Sequence, residues 1–207
     1  MKYLITPSLL GSFLYYKNSQ EEWEEKALQD LLKSIRKEKS PTTEAQQRGI
    51  DFKESIRLYS EKRDVEYLNS KYDLDTNVVI ERISNIVCFG LWQQAVKKDI
   101  NVRNQDFLLY DKCDVIKEDT IYNIKTPSSY EIGKYNGSMQ HLIYMHCTDI
   151  HNFSYLICEN LKEYYREDYN YNKDSEDKIK ECINEFLSFL DTCEEAKKEY
   201  FEKWKCL

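Results

Sequence analysis

The spacing of apolar positions changes period twice along the chain. Thr6 followed by Pro7 predicts a capped helix running to about Lys17. Ser19 and Glu22 stand at capping-box spacing before a second helix over roughly 20–38. Lys37 to Thr43 reads as a loop, and a third helix is expected from about Glu44 to Ser60. Asp75 is placed to cap another helix, with Val78, Val79, Ile83, Ile86, Val87 and Leu91 along one face. The period then shortens to two. Ile100, Val102, Phe107 to Tyr110, Cys113 to Lys117 and Thr120 to Lys125 read as strand, with Glu118-Asp119 as a hairpin turn. A polar loop follows from Pro127 to about Tyr135, then a helix over Ser138 to Cys147. Phe153 to Cys158 and Glu163 to Tyr169 read as two strands around Asn160. Asp174 to Trp204 reads as one long helix with Ile179, Ile183, Phe186, Leu187 and Leu190 on its apolar face.

The expectation is a mixed α/β (α+β) single domain over residues 1–207. Its parts are a mostly helical region over 1–98, a sheet core with one helix over 99–170, and a C-terminal helix over 174–204.

Composition narrows the classes. The chain has 207 residues, enough to bury about 70% of its unfolded surface without cross-links. Lys and Arg number 30 and Asp and Glu 37, a net charge of −7. That argues against a strong, salt-driven, non-specific nucleic-acid binder, though a local basic groove is compatible with it. Five Gly and three Pro exclude collagen-like, low-complexity and glycine-rich phosphate-loop designs. No apolar run is long enough to span a bilayer, and the opening residues lack a signal-peptide apolar stretch, so a cytoplasmic protein with no membrane partner is expected. The seven cysteines include no CxxC pair, and free thiols are expected, without an iron–sulfur cluster.

The stretch from Leu108 to Tyr144 carries the chemistry. The hairpin sets Asp114 near a strand end beside Tyr122 to Lys125. Strand alternation puts Asn123 and Lys125 on one face and Ile124 on the other. Gln140 and Tyr144, four apart, share a helix face. An acid, a polar acceptor and a lysine on adjacent strands suit phosphodiester hydrolysis. The acid would hold a divalent metal, and the lysine would orient the nucleophile and stabilise the transition state.

The ordered set Asp114, Asn123-Ile124-Lys125 and Gln140-His-Leu-Ile-Tyr144 resembles the PD-(D/E)XK nuclease superfamily. The branch it resembles is the RecB-like and phage-type exonucleases, with their QxxxY helix. Gly49-Ile50-Asp51-Phe52 resembles the upstream helix that carries the first acidic motif, and Ser129 to Tyr135 resembles a loop of phage and prophage exonucleases. The resemblance implies a restriction-endonuclease-like mixed sheet flanked by helices. It also implies an exonuclease dependent on Mg2+ or Mn2+ and acting on DNA ends, with a phage recombination protein among its partners and an oligomer in members that act processively. Asp114 is then the principal metal ligand, with Asn123 and the Ile124 carbonyl as weaker ones. Asp114, Asn123, Lys125 and Glu54 form the catalytic group, with Gln140 and Tyr144 facing DNA.

Three positions depart from the pattern. Asn123 stands where the second acid belongs, removing a negative charge from the metal. Lys53 stands where the first acid belongs. Glu54, one residue on, replaces it only if the helix register shifts by 100°. Asp111 precedes Asp114 where glycine is usual and is either a compensating carboxylate or a turn residue. Two classes of function follow: a metal-dependent exonuclease weakened or silenced at Asn123, or an inactive nuclease-fold protein that binds DNA or a protein partner.

Plainer readings stand beside other signals. His141, His146 and His151 fall on different helix faces and read as structural or exposed. The tyrosines from Tyr164 to Tyr171 could stack on bases or simply alternate across two strand faces. Lys33, Arg36, Lys37 and Lys39 complement a helix C-terminus.

Overall fold

The computed structural model describes residues 1–206. Their order is β1 (Tyr3–Ile5), α1 (Pro7–Lys17), α2 (Glu21–Ile35), α3 (Glu44–Lys62), α4 (Val65–Lys71), α5 (Leu74–Val87), β2 (Leu91–Val102), β3 (Gln105–Lys117), β4 (Thr120–Lys125), α6 (Met139–Thr148), β5 (Asn152–Glu159), β6 (Glu163–Asn170), α7 (Ser175–Thr192) and α8 (Glu194–Lys203). The chain folds as the mixed α/β class its pattern predicts. No helix among the described residues is long and apolar enough to cross a membrane.

Local chemistry sets most helix starts. Thr6 Oγ1 accepts the Leu9 N–H, with Pro7 in the first turn. Thr43 and Gln46 form a reciprocal capping box for α3. Two expected caps are displaced. Ser19 donates its hydroxyl back to Tyr16 O, and Gln20 precedes α2 without a side-chain cap bond. Asp73, not Asp75, caps α5 by accepting the Thr76 N–H.

The six-stranded sheet is built around β3. β2 pairs antiparallel along nearly all of it, from Leu91↔Ile116 to Val102↔Gln105. On the other edge, β1 pairs parallel with Phe107 to Leu109, and β4 pairs antiparallel with Val115 to Lys117. Residues 110–114 of β3 therefore lack a partner strand on that edge. β5 runs parallel to β4, joined through α6, and β6 closes the sheet antiparallel to β5.

Each face has its own core. The larger one packs α1, α2, α6, α7 and α8 on Phe107, Leu109, Ile121, Phe153, Tyr155 and Ile157. The smaller one packs α3 and α5 on Val115, Ile124, Leu156 and Cys158. The chain ends are tied together: Leu4 N–H donates to Trp204 O, the Tyr200 hydroxyl to Leu4 O, and the Trp204 indole N–H to Ile35 O at 2.7 Å.

Several expectations are corrected. Leu91 belongs to β2, not to the helix before it, because α5 stops at Val87 and Phe89 takes a left-handed turn at φ 65°. The stretch 91–98, expected within the helical region, is strand. Among its residues only Val96 is buried, so no apolar alternation marked it. The C-terminal helix divides at Cys193, whose φ of −130° and ψ of 90° leave the helical region. This break turns α8 so that Ala196 and Tyr200 reach the core.

Two glycines give opposite expectations. A Cβ at Gly90 would collide with Val115 Cγ1 and stand 2.9 Å from the Val87 carbonyl, whereas one at Gly11, inside α1, meets nothing within 4 Å. Gly90→Ala is expected to destabilise by about 1–3 kcal/mol and Gly11→Ala to stabilise by about 0.5–1 kcal/mol. Urea unfolding of the two variants checks the pair.

Candidate active site

The site forms where β3 and β4 part. Their pairing runs from Lys117↔Thr120 and ends at Val115↔Tyr122, so the next residues, Asp114 and Asn123, face each other across a widening fork. Here the pleat of β3 also slips. Cys113 and Ile116 both contribute to the larger core while Val115, between them, contributes to the smaller. Opposite Asp114 in β2, Gln93 sits in the left-handed region at φ 53°, and the pairing register passes over both residues. Irregularities of this kind re-aim a side chain. The Asp114 carboxylate meets α3 through Lys53 on one side, and on the other Asn123 and Lys125 carry the contacts on to α6.

Asp114 is buried, and its oxygens are well supplied with donors. Oδ2 accepts from Lys53 Nζ at 2.7 Å and from the Ile124 N–H at 2.8 Å. The Ile124 amide, beyond the last β3–β4 pair, thus finds an acceptor in a side chain instead of a strand. The neighbouring donors and acceptors select one orientation of the Asn123 amide. Its nitrogen donates to Asp114 Oδ2 at 3.0 Å and its oxygen accepts from Lys125 Nζ at 3.1 Å. Gln93 Nε2 reaches Oδ1 at 3.4 Å.

The row continues into α6. Lys125 Nζ donates to Gln140 Oε1 at 2.7 Å, and Gln140 Nε2 donates to the Tyr144 hydroxyl at 3.0 Å. The single Tyr144 proton is shared between Asp111 Oδ2 at 2.7 Å and Lys112 O at 2.9 Å, in the stretch of β3 that lacks a strand on that edge. Ser138 starts α6 by accepting the Gln140 N–H. Burial first, and then the like charge of Lys53, pull the Lys125 ammonium down to about 8 against the opposing pull of Asp114 and Asp111. Its Nζ also lies 5.5 Å from the Tyr155 ring centroid and 5.8 Å from that of Tyr135.

The structure therefore gathers Asp114, Asn123, Lys125, Gln140 and Tyr144, and adds Lys53 and Asp111. It does not gather Glu54. The register of α3 places Lys53 over Asp114, and Glu54 turns to Arg57, whose guanidinium donates to it at 2.5 and 2.9 Å and holds its carboxyl below the usual range. Tyr144 is also corrected as a DNA-facing residue: it is 1% exposed, and its hydroxyl fastens Gln140 to β3. Asp111 is a partner of that hydroxyl rather than of Asp114.

A divalent metal can be tested against these donors. Among the described residues no three His, Cys, Asp or Glu side chains group to hold an ion. Asp114 is the one carboxylate at the fork, and an ammonium already lies on it. Asn123 offers its oxygen to Lys125. Asn123 being neutral, Lys53 and Lys125 balance Asp114 and Asp111 and leave the group neutral, whereas carboxylates at 53 and 123 would make it −3. A hard cation needs several anionic oxygens. The residues present do not fit one.

The secondary signals are also placed. Tyr169 stacks on His141 at 4.2 Å and Tyr165 packs on Tyr130 at 4.8 Å, so these rings are engaged within the protein. Burial lowers His141 to about 4. His146 Nδ1 bonds the Tyr171 hydroxyl. Arg36 pairs with Glu195, and Lys37 lies over the Trp204 ring, which ties the end of α2 to α8. Sequence reasoning missed Gln93, whose strained φ carries no residue-type signal. It also missed the contact between Lys53 and Asp114, although both positions had been singled out.

No protein-family profile matches the sequence, and no curated protein matches it. Solved structures do match in fold. The alkaline exonuclease LHK-Exo of Laribacter hongkongensis is similar at 12% identity and a TM-score of 0.51, covering 96% of this chain and 93% of that one. A protein of Eubacterium rectale described as an exonuclease is similar at 10% identity and a TM-score of 0.55, covering 96% and 82%. At these identities the likeness is one of fold.

Proposed function

We propose that this chain is a nuclease-fold protein, descended from exonucleases of phage or prophage type, that binds DNA without hydrolysing it. One observation carries the reading: the Lys53 ammonium lies 2.7 Å from Asp114 Oδ2, in the place where a metal-dependent site needs its cation. With Asn123 as the facing residue, no set of carboxylates remains to recruit an ion or to activate water. Binding survives such changes more readily than catalysis, since the Lys53 and Lys125 ammoniums remain as groups a phosphate can meet without a metal.

The second reading, an active metal-dependent exonuclease, is favoured by Lys125. Its Nζ is held by Gln140 and Asn123, and its pKa near 8 suits a lysine that works close to neutrality. Cleavage of end-labelled linear DNA in Mg2+ or Mn2+ separates the two. The parent is expected to be silent while retaining DNA in excess EDTA. Efficient metal-dependent cleavage by the parent would establish the second reading.

The double variant Lys53→Glu/Asn123→Asp should bind Mn2+ by calorimetry and gain cleavage. A positioned metal contributes several kcal/mol, so a gain of roughly three orders of magnitude over background is expected. Asn123→Asp alone should gain little, because the Lys53 ammonium still neutralises the acid. Lys125→Ala in the double variant should remove the gain.

The Lys125 ammonium gives a pH test. Its folded pKa of about 8 lies below the unfolded value of about 10.4. Between these values the unfolded chain binds more protons, so this group makes stability rise with pH. Wild type should therefore gain stability relative to Lys125→Met from pH 8 to 10.4, with no relative change below that window. Chemical unfolding of both proteins at several pH values measures it, and the difference should shrink in a Lys53→Gln background, where the like charge is gone.

A further inference from the structure

A second polar cluster lies away from the fork, where α4 packs on α3. Its centre is Ser55, which is fully buried. The Ser55 hydroxyl donates to Asp51 O, one turn back in α3, at 2.8 Å. Three further donors converge on the same oxygen: the Tyr72 hydroxyl at 3.0 Å, the Tyr67 hydroxyl at 3.3 Å and Lys71 Nζ at 3.3 Å. Tyr67 and Lys71 share a face of α4, and Lys71 Nζ also donates to the Tyr67 hydroxyl oxygen at 3.2 Å. The ammonium lies 5.6 and 5.4 Å from the ring centroids of Tyr67 and Tyr72.

The protons of this cluster outnumber its acceptors. With its own proton on Asp51 O, the Ser55 oxygen has two lone pairs for three donors. Tyr72, the nearest, and Lys71 fill them. The Tyr67 proton is then left without an internal acceptor, while the Tyr67 oxygen accepts from the ammonium. Charge points the same way. Among the described residues Lys71 pairs with no carboxylate, and Glu54, whose charge also reaches Tyr67, is taken by Arg57. The contacts with Ser55 and then Lys71 hold the Tyr67 phenol below the ordinary tyrosine value, against burial and Glu54. Tyr67 is half-buried and Lys71 exposed, so the pair borders solvent. Ser55 and Tyr72 alone would fasten α4 to α3. An ammonium with no carboxylate, set on a second phenol, is unexplained by folding.

We infer that Tyr67 is a nucleophile that takes a phosphoryl group from a phosphoanhydride donor, with Lys71 as its positioning residue. The phenolate oxygen attacks phosphorus. The new O–P bond forms as the anhydride P–O bond breaks, the leaving group keeps the electron pair, and the phenolic proton passes to solvent. The adduct brings negative charge to an ammonium that lacks an anion, which favours a phosphoryl group over a neutral acyl group. No residue of the hydrogen-bonded row at the fork takes part, so the inference is independent of the DNA-binding reading.

The probe is an alkyl fluorophosphonate, from which the same attack on phosphorus expels fluoride. The full chain is labelled, and mass spectrometry of its peptides locates the adduct. Tyr15, 60% exposed, is the internal control. Tyr67 is expected to label faster than Tyr15 by about tenfold or more, the worth of one charged hydrogen bond. Its rate should rise with pH to a midpoint below the value of about 10 for a free tyrosine. Lys71→Met should slow labelling by a similar factor and raise the midpoint. Lys71→Arg, which keeps the charge, should restore most of both. Thermal melts establish that each variant is folded, and the Tyr67 to Tyr15 ratio and the midpoint in the parent decide the matter without them. Absence of a Tyr67 adduct, equal labelling of Tyr67 and Tyr15, an adduct on Ser55 instead, or a folded Lys71→Met that labels like the parent would overturn the inference.

Discussion

The site depends on how one carboxylate is satisfied. Asp114 lies at a fork in the sheet, buried, where strand hydrogen bonds have run out, and a buried charge must find donors or lose its charge. It finds three on one oxygen: the Lys53 ammonium, the Ile124 N–H and the Asn123 amide. Everything around it follows from that set. Asn123 passes the polarity on to Lys125, Lys125 to Gln140, and Gln140 to Tyr144, whose hydroxyl fills the unpartnered edge of β3. Substituting Lys53 by an acid changes the sign of the cation-facing end of the row, and substituting Asn123 changes its centre.

The same set holds the fork together with groups that the chain itself supplies. In a two-carboxylate site the cation holds the acids together, so removing it leaves repelling charges. Here an internal ammonium does that work, and a side-chain amide replaces the second acid with a group that both donates and accepts. The group is neutralised by its own residues. A buried pair of this kind contributes little net stability, because desolvation offsets much of the attraction, but removing one partner leaves an uncompensated charge. Lys53 and Asp114 are therefore coupled.

Much of this was legible in the sequence, and the parts that were not have physical reasons. The hairpin, the α6 helix and the grouping of Asp114, Asn123 and Lys125 follow from alternation and i, i+4 spacing, which depend on local geometry. The departures at 53 and 123 were visible as residue types. Their meaning was not, because whether Lys53 or Glu54 meets Asp114 depends on how α3 is rotated against the sheet, which is set by Phe52 and Ile56 in the smaller core. Tyr144 carried the right spacing but the wrong surroundings, since periodicity does not say which face of α6 is covered. The first part of β2, residues 91–98, and all of β1 were missed for different reasons. One is a largely exposed edge with few apolar positions, and the other is three residues long and held by the far end of the chain.

The proposed role turns on the Lys53 ammonium taking a cation's place on Asp114. A crystal grown in millimolar Mn2+ tests it most directly, through the anomalous difference map at the manganese edge. The account predicts no anomalous peak at the fork, with Lys53 Nζ remaining in hydrogen-bond contact with Asp114 Oδ2. A manganese peak coordinated by Asp114, with the Lys53 side chain displaced, would contradict it.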